Sequence, residues 1–430
     1  MPKSKKSHTI EKKKETVTQS SPKNRFTIPL NHLIAIGLIV GVALMAYSNS
    51  FDVPFHFDDR PNILQNPNIQ IQVFTWDRLV SFITHTYEVS IRVFSYFTFA
   101  LNYYFGGFNL FYYHLVNFII HVACGIFLYW FLMLTFNLPY LRDEYGPMSY
   151  KVALFASLIF IAHPIQTQSV TYIVQRMSSM AGMFYLLAMV LYVKGRLSSG
   201  KGRFAYFTAT GLVYLLGIFS KENVAILPLF VLLYEFYFFQ NLTIGPKGKK
   251  TFLTVVSIVG LLAIVGLAVW GNRYYELIIE GYKIRDFTLS ERVLTQLRVV
   301  LYYLTLLAYP HPSRLNLDYD FPVSKTLIDP PTTLISMVIV AGLIGYSIWA
   351  AKRRPVLSFC VLWYFGNLVI ESSIFPLEMA YEHRLYLPSV GPFIFFSLVA
   401  IWSLETLRKK LVLGKPHPMP GIPVSAGRKR

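Results

Sequence analysis

Acidic residues, cysteines and charges of either sign are scarce in this chain of 430 residues. It has 22 Asp and Glu, two Cys and 14% charged residues, against 54% hydrophobic residues. So little charge excludes an ordinary soluble domain. Two cysteines exclude a disulfide framework. Since Cys124 and Cys360 both lie in apolar stretches, we expect them to serve in packing.

Long apolar runs take up most of the sequence. A helix needs about 20 apolar residues to cross about 30 Å of hydrocarbon, and several segments come close to that length. Runs of this kind favour helices over the short alternating strands of membrane barrels. We therefore predict an all-α polytopic membrane protein with about ten transmembrane helices. The predicted spans are about 30–47, 111–136, 152–162, 180–193, one ending near 219, one ending near 238, 252–270, 334–350, 356–372 and 390–404.

Basic residues set the expected orientation. The net charge of +18 is concentrated at the N-terminus, in short loops such as KGRLSSGKGR and AKRRP, and in the tail. Clusters beside spans are typical of cytosolic loops, and they do not indicate a nucleic-acid partner. We expect a disordered basic arm at 1–28, a transmembrane domain at 29–405 and a disordered basic tail at 406–430.

Two long loops then face the other side of the membrane, at 48–107 and 271–331. Residues 91–105 are apolar but short, so we expect a helix at the interface. Residues 294–310 are apolar enough to span. If they did, the AKRRP loop would lie on the side opposite the other basic loops, so we interpret this segment as re-entrant or interfacial.

Asp58 and Asp59 stand out in the stretch FHFDDRPNILQNPN, shortly after the first span. Neighbouring carboxylates raise each other's pKa, and one can accept a proton from a hydroxyl group. Solvated loop carboxylates and an ion pair with Arg60 are the alternatives. Two carboxylates without nearby partners make a poor metal site, so we predict no resident metal or other cofactor, although a divalent ion stays open.

His114, Asn117 and His121 share one face of the second predicted span. Polar side chains inside a bilayer usually face the interior of the bundle. His114, near the outer end, is a candidate for the active site, with hydrogen bonding between helices as the alternative. For the deeper His121 we favour that alternative.

Basic residues are expected mainly in cytosolic loops. Basic side chains at the outer ends of spans are therefore unexpected and indicate a bound anion. Arg176 in HPIQTQSVTYIVQR and Lys221 in SKEN are such residues, and a phosphate suits both. Lys221 could instead pair with Glu222 or extend to the interface. His163 either joins the site or simply ends the third span.

The YEHRLYLP stretch places a third outer-side cation, Arg384, before the last span, with an internal salt bridge as the alternative. Unusual polar residues thus gather on one side of the membrane. They are Asp58, Asp59, His85, Arg92, His163, Gln166, Arg176, Lys221, Glu222, His311, Asp318, Asp320, Glu382, His383 and Arg384.

Six segments, in order, resemble the membrane portion of the transmembrane TPR-containing O-mannosyltransferases and of related bacterial proteins. They are FDDRPNILQNPNI, GGFNLFYYHLVNFIIH, HPIQTQSVTYIVQRMSSM, LLGIFSKENVAILPLFVLLYE, LDYDFP and YEHRLYLPSVG, and the resemblance covers about residues 30–400. It implies the GT-C fold, a catalytic base in the acidic motif Asp58-Asp59, and inverting transfer from a polyprenyl-phosphate sugar. No TPR repeat is recognisable after the membrane part, which leaves the sugar and the acceptor open.

We therefore expect a glycosyltransferase in a multi-pass membrane, acting on a protein or glycan acceptor at the extracytoplasmic face. That face is the periplasm or exterior in a bacterium, which the lysine-rich arm favours, and the lumen of the endoplasmic reticulum in a eukaryote. Arg176, Lys221 and Arg384 would stabilise the departing lipid phosphate, with His163, Glu222, His383, Arg92 and His114 nearby. A transporter for a lipid-linked saccharide is the alternative, but no internal repeat supports it. A non-catalytic scaffold would leave the one-sided polar residues unexplained.

Overall fold

A computed structural model describes residues 29–243 and 246–413, and all regular structure in these residues is helical. The predicted arm at 1–28 and the tail from 414 onward lie outside the described residues. The helices, numbered in chain order, are α1 (Leu30–Tyr47), α2 (Trp76–Val89), α3 (Val93–Gly106), α4 (Leu110–Phe136), α5 (Arg142–Tyr145), α6 (Ser149–Ala162), α7 (Thr167–Thr171), α8 (Arg176–Leu197), α9 (Gly200–Ile218), α10 (Leu227–Tyr234), α11 (Pro246–Lys283), α12 (Leu289–Ala308), α13 (Thr332–Ala350), α14 (Pro355–Leu368) and α15 (Val390–Leu413).

Seven helical segments of the described part are long and apolar enough to cross a membrane. The all-α polytopic prediction is therefore confirmed, while the number ten stays a prediction. Among the helices outside this set, α14 is apolar but has only 14 residues. The seven segments are Leu30–Tyr47, Leu110–Phe136, Arg142–Ala162, Ile173–Leu197, Glu222–Phe239, Thr332–Ala350 and Val390–Leu411.

Two helices continue past predicted boundaries. The 38-residue α11 contains the predicted seventh span and runs on to Lys283, so the first residues of the predicted second outside region are helical. Likewise α15 extends to Leu413, so residues 406–413 are helical where the sequence predicted the start of a disordered tail. In both cases charged residues near the predicted ends interrupt the apolar run without breaking the helix.

The first long loop contains two helices, α2 and α3. The Thr75 hydroxyl caps α2 by accepting the Arg78 N–H at 3.2 Å. The segment predicted to be an interfacial helix, 91–105, coincides with α3. Ser95 Oγ of α3 donates to the carbonyl of Ser220 at 2.9 Å, and Phe94 N donates to Phe219 O, so this loop is tied to the end of α9.

The apolar segment of the second long loop, predicted at 294–310, lies almost entirely in one uninterrupted helix, α12. Its polar side chains contact the connection between α14 and α15: Arg292 donates to the carbonyl of Glu371, Gln296 to that of Met379, and Tyr303 to that of Tyr381. These contacts extend over three turns of α12, so the helix lies alongside that connection. Its depth in the membrane stays a prediction.

The core forms around α8, which packs between α4 and α9, while α6 packs against α1, α4 and α15. Both cysteines are buried and free, as their apolar surroundings predicted. Helices α14 and α15 approach so closely that a Cβ on Gly391 would overlap the carbonyl of Cys360. Most of the candidate residues lie in the connections between these helices, while His114 and Arg176 lie within α4 and α8.

Candidate active site

Asp58 lies at a cleft formed by four segments that are distant in the sequence. Its side chain is exposed to the cleft, and its main-chain N–H donates to the hydroxyl of Tyr172 at 2.8 Å. The cleft therefore holds a solvent-accessible carboxylate in a fixed place. Its lining residues are Phe57, Asp58, Tyr172, Gln175, Leu317, Asp318, Tyr381 and His383.

Asp59, by contrast, is fully buried and faces the protein. Its Oδ1 accepts the Val174 N–H at 2.7 Å, and its Oδ2 accepts the His56 N–H at 3.2 Å. Burial raises the pKa of Asp59 to about 6, and the neighbouring charge of Asp58 adds only a minor increase. The two aspartates thus have different surroundings, and only Asp58 lines the cleft.

The backbone beside the aspartates is held in an unusual conformation. Phe57 has a φ of 43°, in the left-handed region that side chains other than glycine rarely adopt. The ring of His56 stacks on that of Tyr172 with centroids 4.8 Å apart, and Asp59 binds main-chain groups on both sides of the contact. Such strain persists only where the surroundings hold it, and it often marks functional segments.

His383 reaches the same cleft from the opposite side and is oriented by Gln168. The amide oxygen of Gln168 accepts both the main-chain N–H and the Nδ1–H of His383, each at 2.9 Å. Its amide nitrogen donates to the carbonyls of Asn316 and Leu317. Because Nδ1 carries the proton, Nε2 of the neutral imidazole is an acceptor.

Three cations act electrostatically on His383. Burial lowers the pKa of His383 well below its usual value, and the positive charges of Lys221, Arg384 and Arg92 lower it further. Lys221 lies 2.5 Å from Glu371, and Arg92 makes a two-pronged ion pair with Glu222. The predicted alternative, a pair between Lys221 and Glu222, is therefore wrong.

Of the cations Lys221, Arg92 and Arg384, Arg384 has the fewest contacts with acidic side chains. Its Nη1 donates to the carbonyls of Glu378 and Met379, and its guanidinium lies 5.3 Å from the ring centre of Tyr381. Glu382 bonds instead to the Asn316 N–H and the Tyr319 hydroxyl. The alternative of a salt bridge inside the YEHR stretch is thus wrong.

Arg176 does not face the cleft, contrary to its predicted role as a phosphate ligand. It is fully buried, and its three nitrogens donate to Asn117 Oδ1 at 2.6 Å, to Thr98 Oγ1 at 3.2 Å and to the carbonyl of Tyr113 at 2.9 Å. Its guanidinium also lies over the ring of Phe99. This geometry joins α3, α4 and α8 and leaves no room for an anion.

Two predicted histidines also have structural contacts. His163 Nε2 bonds the carbonyl of Leu307 at 3.1 Å and its Nδ1 accepts the Ile165 N–H, so it ends α6. His114 Nε2 bonds the carbonyl of Val53 at 2.8 Å, which fixes the start of the first loop. The deeper His121 bonds Tyr386 and the carbonyl of Ile161, as predicted for hydrogen bonds between helices.

The sequence of the chain is similar to those of several protein O-mannosyl-transferases. The chain is 28% identical over 315 residues to Protein O-mannosyl-transferase TMTC2 of Mus musculus, covering 67% of this chain and 36% of that protein. It is 24% identical over 380 residues to Protein O-mannosyl-transferase F38B6.6 of Caenorhabditis elegans, covering 82% of this chain and 49% of that protein. With Protein O-mannosyl-transferase TMTC4 of Homo sapiens it shares 30% identity over 177 residues, 38% of this chain and 24% of that protein.

The predicted resemblance to the transmembrane TPR-containing O-mannosyltransferases is confirmed. The match to the mouse protein spans about a third of that relative's length. No protein-family model and no solved structure matches the chain.

Several cleft residues were absent from the predicted site, although they lie in or near the segments that resemble the O-mannosyltransferases. Tyr172 and Gln168 belong to the HPIQTQSVTYIVQR motif, and Asp318 belongs to LDYDFP. Glu371, the partner of Lys221, could have been noticed as an acidic residue directly after an apolar run. Within the described residues, no group of three His, Cys, Asp or Glu side chains is arranged to hold a metal ion.

Proposed function

We propose that this protein is an inverting glycosyltransferase of the GT-C type, which transfers a sugar from a polyprenyl-phosphate donor to a hydroxyl group of a protein. The names of the relatives support the reaction class and a protein acceptor. The observation that carries the proposal is the cleft between the Asp58 carboxylate and His383, on which three cations act electrostatically. A base and a positive region on one cleft are the two elements that this displacement needs.

Asp58 is the general base in this proposal. Its carboxylate takes the proton from the acceptor hydroxyl while the hydroxyl oxygen bonds to the anomeric carbon. The bond between that carbon and the phosphate oxygen breaks, and the lipid phosphate leaves with the electron pair. Asp59 acts as a positioning residue, because its bonds to Val174 and His56 hold the loop that presents Asp58.

Arg384, Lys221 and Arg92 stabilise the phosphate as negative charge develops on it. Arg384 is the direct ligand we favour, since its two bonds to main-chain carbonyls both use Nη1 and it forms no ion pair with a carboxylate of the described residues. Lys221 and Arg92 are paired with carboxylates and contribute through the electrostatic field of the network. His163, His114 and Arg176 are not part of this group.

His383 and Asp318 contact the sugar ring. The Nε2 atom of His383 and the carboxylate of Asp318 both border the cleft and can accept hydrogen bonds from sugar hydroxyls. In this proposal the isoprenoid chain of the donor lies against the apolar helices. The reaction takes place at the extracytoplasmic end of the bundle, a choice that the basic loops predicted to be cytosolic support.

Purified full-length protein in lipid nanodiscs tests the proposal. It is incubated with polyprenyl-phosphate sugars, mannose first, and a serine- and threonine-rich peptide. Release of lipid phosphate and the mass of the peptide are both measured. We expect stoichiometric phosphate release and peptide glycosylation. Movement of the lipid-linked sugar across vesicle membranes without phosphate release would contradict the proposal and favour a transporter.

A further inference from the structure

A second cleft lies next to the first one and shares a wall with it. Tyr172 and Leu317 line both clefts, so the two are separated by the thickness of these side chains. The second cleft encloses about 340 Å³ and opens to the surface. Its lining also includes Pro164, Thr171, Pro310, Pro312, Asn316 and Glu382.

The lining combines apolar rings with a few polar groups. Pro164, Pro310 and Pro312 supply rigid apolar faces, and Glu382 supplies a buried carboxyl group, only 4% exposed. Glu382 Oε1 accepts the Asn316 N–H at 2.7 Å and the Tyr319 hydroxyl at 2.8 Å. Burial raises the pKa of Glu382 to about 7, so its protonated form, which can donate a hydrogen bond, is well populated near neutral pH.

The second cleft adjoins the proposed base in the first. Tyr172 lines both clefts, and its hydroxyl accepts the main-chain N–H of Asp58 at 2.8 Å. Glu382 and His383 are consecutive, yet Glu382 lines the second cleft and His383 lines the first. A hydroxyl group that Asp58 deprotonates must lie beside its carboxylate, so a molecule held in the second cleft is well placed to supply that hydroxyl.

We propose that the second cleft binds the polypeptide segment that carries the acceptor hydroxyl, with Glu382 bonding to its main chain. This inference rests on the proposed function and deepens it. Apolar pockets with a few placed polar groups suit peptide side chains and a peptide backbone. Most of the surface that the lining presents to the cleft is apolar, which favours a peptide over a saccharide.

Filling the cleft tests the proposal. Asn316 is exposed and lines the cleft, and only its main-chain N–H bonds to Glu382. Asn316→Trp should raise KM for the peptide about ten-fold or more and leave KM for the polyprenyl-phosphate donor within about two-fold. Thr171→Trp, which fills the cleft from the opposite wall, should have the same effect.

A matched variant controls for size and folding. Asn137→Trp places the same ring in an exposed position just after α4, outside the linings of both clefts, and should leave both KM values unchanged. A rise of KM for the donor, or unchanged kinetics in both cleft-filling variants, would overturn the proposal.

The activity of the wild type distinguishes failure of the proposed transferase function from failure of the peptide-binding role of the second cleft. If wild-type protein releases no lipid phosphate with any acceptor, the proposed function itself fails. If the wild type is active and Asn316→Trp blocks a saccharide acceptor as well as the peptide, transferase activity stands and the polypeptide assignment is overturned.

Discussion

The Lys221 ammonium lies 2.5 Å from the Glu371 carboxylate, and both side chains are more than nine-tenths buried. Lys221 Nζ also donates to Ser178 Oγ at 3.0 Å. This pair therefore joins the turn after α9, the start of α8 and the connection after α14. Burial lowers the pKa of Lys221 despite the attraction of Glu371, which reflects how costly it is to remove this charge from water.

Breaking this pair should destabilise the protein. Lys221→Met leaves Glu371 buried without its cation, at a cost of about 3–5 kcal/mol, which thermal unfolding in nanodiscs would detect. The double variant Lys221→Met with Glu371→Gln should recover most of that stability. If Lys221 stabilises the leaving phosphate, the double variant should fold but transfer sugar more slowly than the wild type. A double variant with the turnover of the wild type would show that Lys221 has no part in the mechanism.

Asp58→Asn should abolish most activity without unfolding the protein. The side chain is exposed, and only its main-chain N–H bonds to Tyr172, so the fold loses little. Loss of a general base lowers kcat by about 10²–10⁴-fold. Single-turnover release of lipid phosphate measures this change. Asp52→Asn, an exposed carboxylate in the same loop, serves as the control, and equal losses in both variants would count against the assignment of Asp58 as base.

Asp59 should make stability depend on pH. Its folded-state pKa of about 6 lies above the ordinary value of 3.8, so the folded state binds the proton more tightly. The resulting stabilisation is complete below about pH 4 and is lost as the pH rises through about 6. The thermal midpoint of the wild type should therefore fall between pH 4.5 and pH 7.5 by more than that of Asp59→Asn, which does not titrate. Parallel pH profiles for the two proteins would show that Asp59 is not the responsible group.

Arg176 should matter for folding and not for donor binding. Arg176→Lys keeps the charge but cannot reach the three acceptors that the guanidinium satisfies. Each lost bond from a charged donor costs about 1.5–3 kcal/mol, so the thermal midpoint should drop. In the folded fraction, KM for the donor should be unchanged. A large rise in that KM would restore the role as phosphate ligand that the sequence suggested.

The sequence predicted which segments meet at the candidate cleft better than it predicted the contacts of individual side chains. Asp58, His383 and Arg384 are at or next to the cleft because each belongs to a polar stretch at the end of an apolar run, and such ends meet on one side of a bundle. Arg176 belongs to a similar stretch, yet its side chain points into the protein. Spacing along the chain does not reveal whether a cation at a helix end turns toward the cleft or toward neighbouring carbonyls.

Apolar run length and the placement of charge determined by themselves that this chain is an all-α membrane protein with its polar residues at one end. These properties follow from the cost of placing polar groups in hydrocarbon, which acts on each segment separately. Only the tertiary structure decided that Asp58 faces the cleft while Asp59 is buried, and that Lys221 pairs with Glu371 and not with its neighbour Glu222. Those outcomes depend on contacts between segments more than 100 residues apart, and no local pattern encodes them.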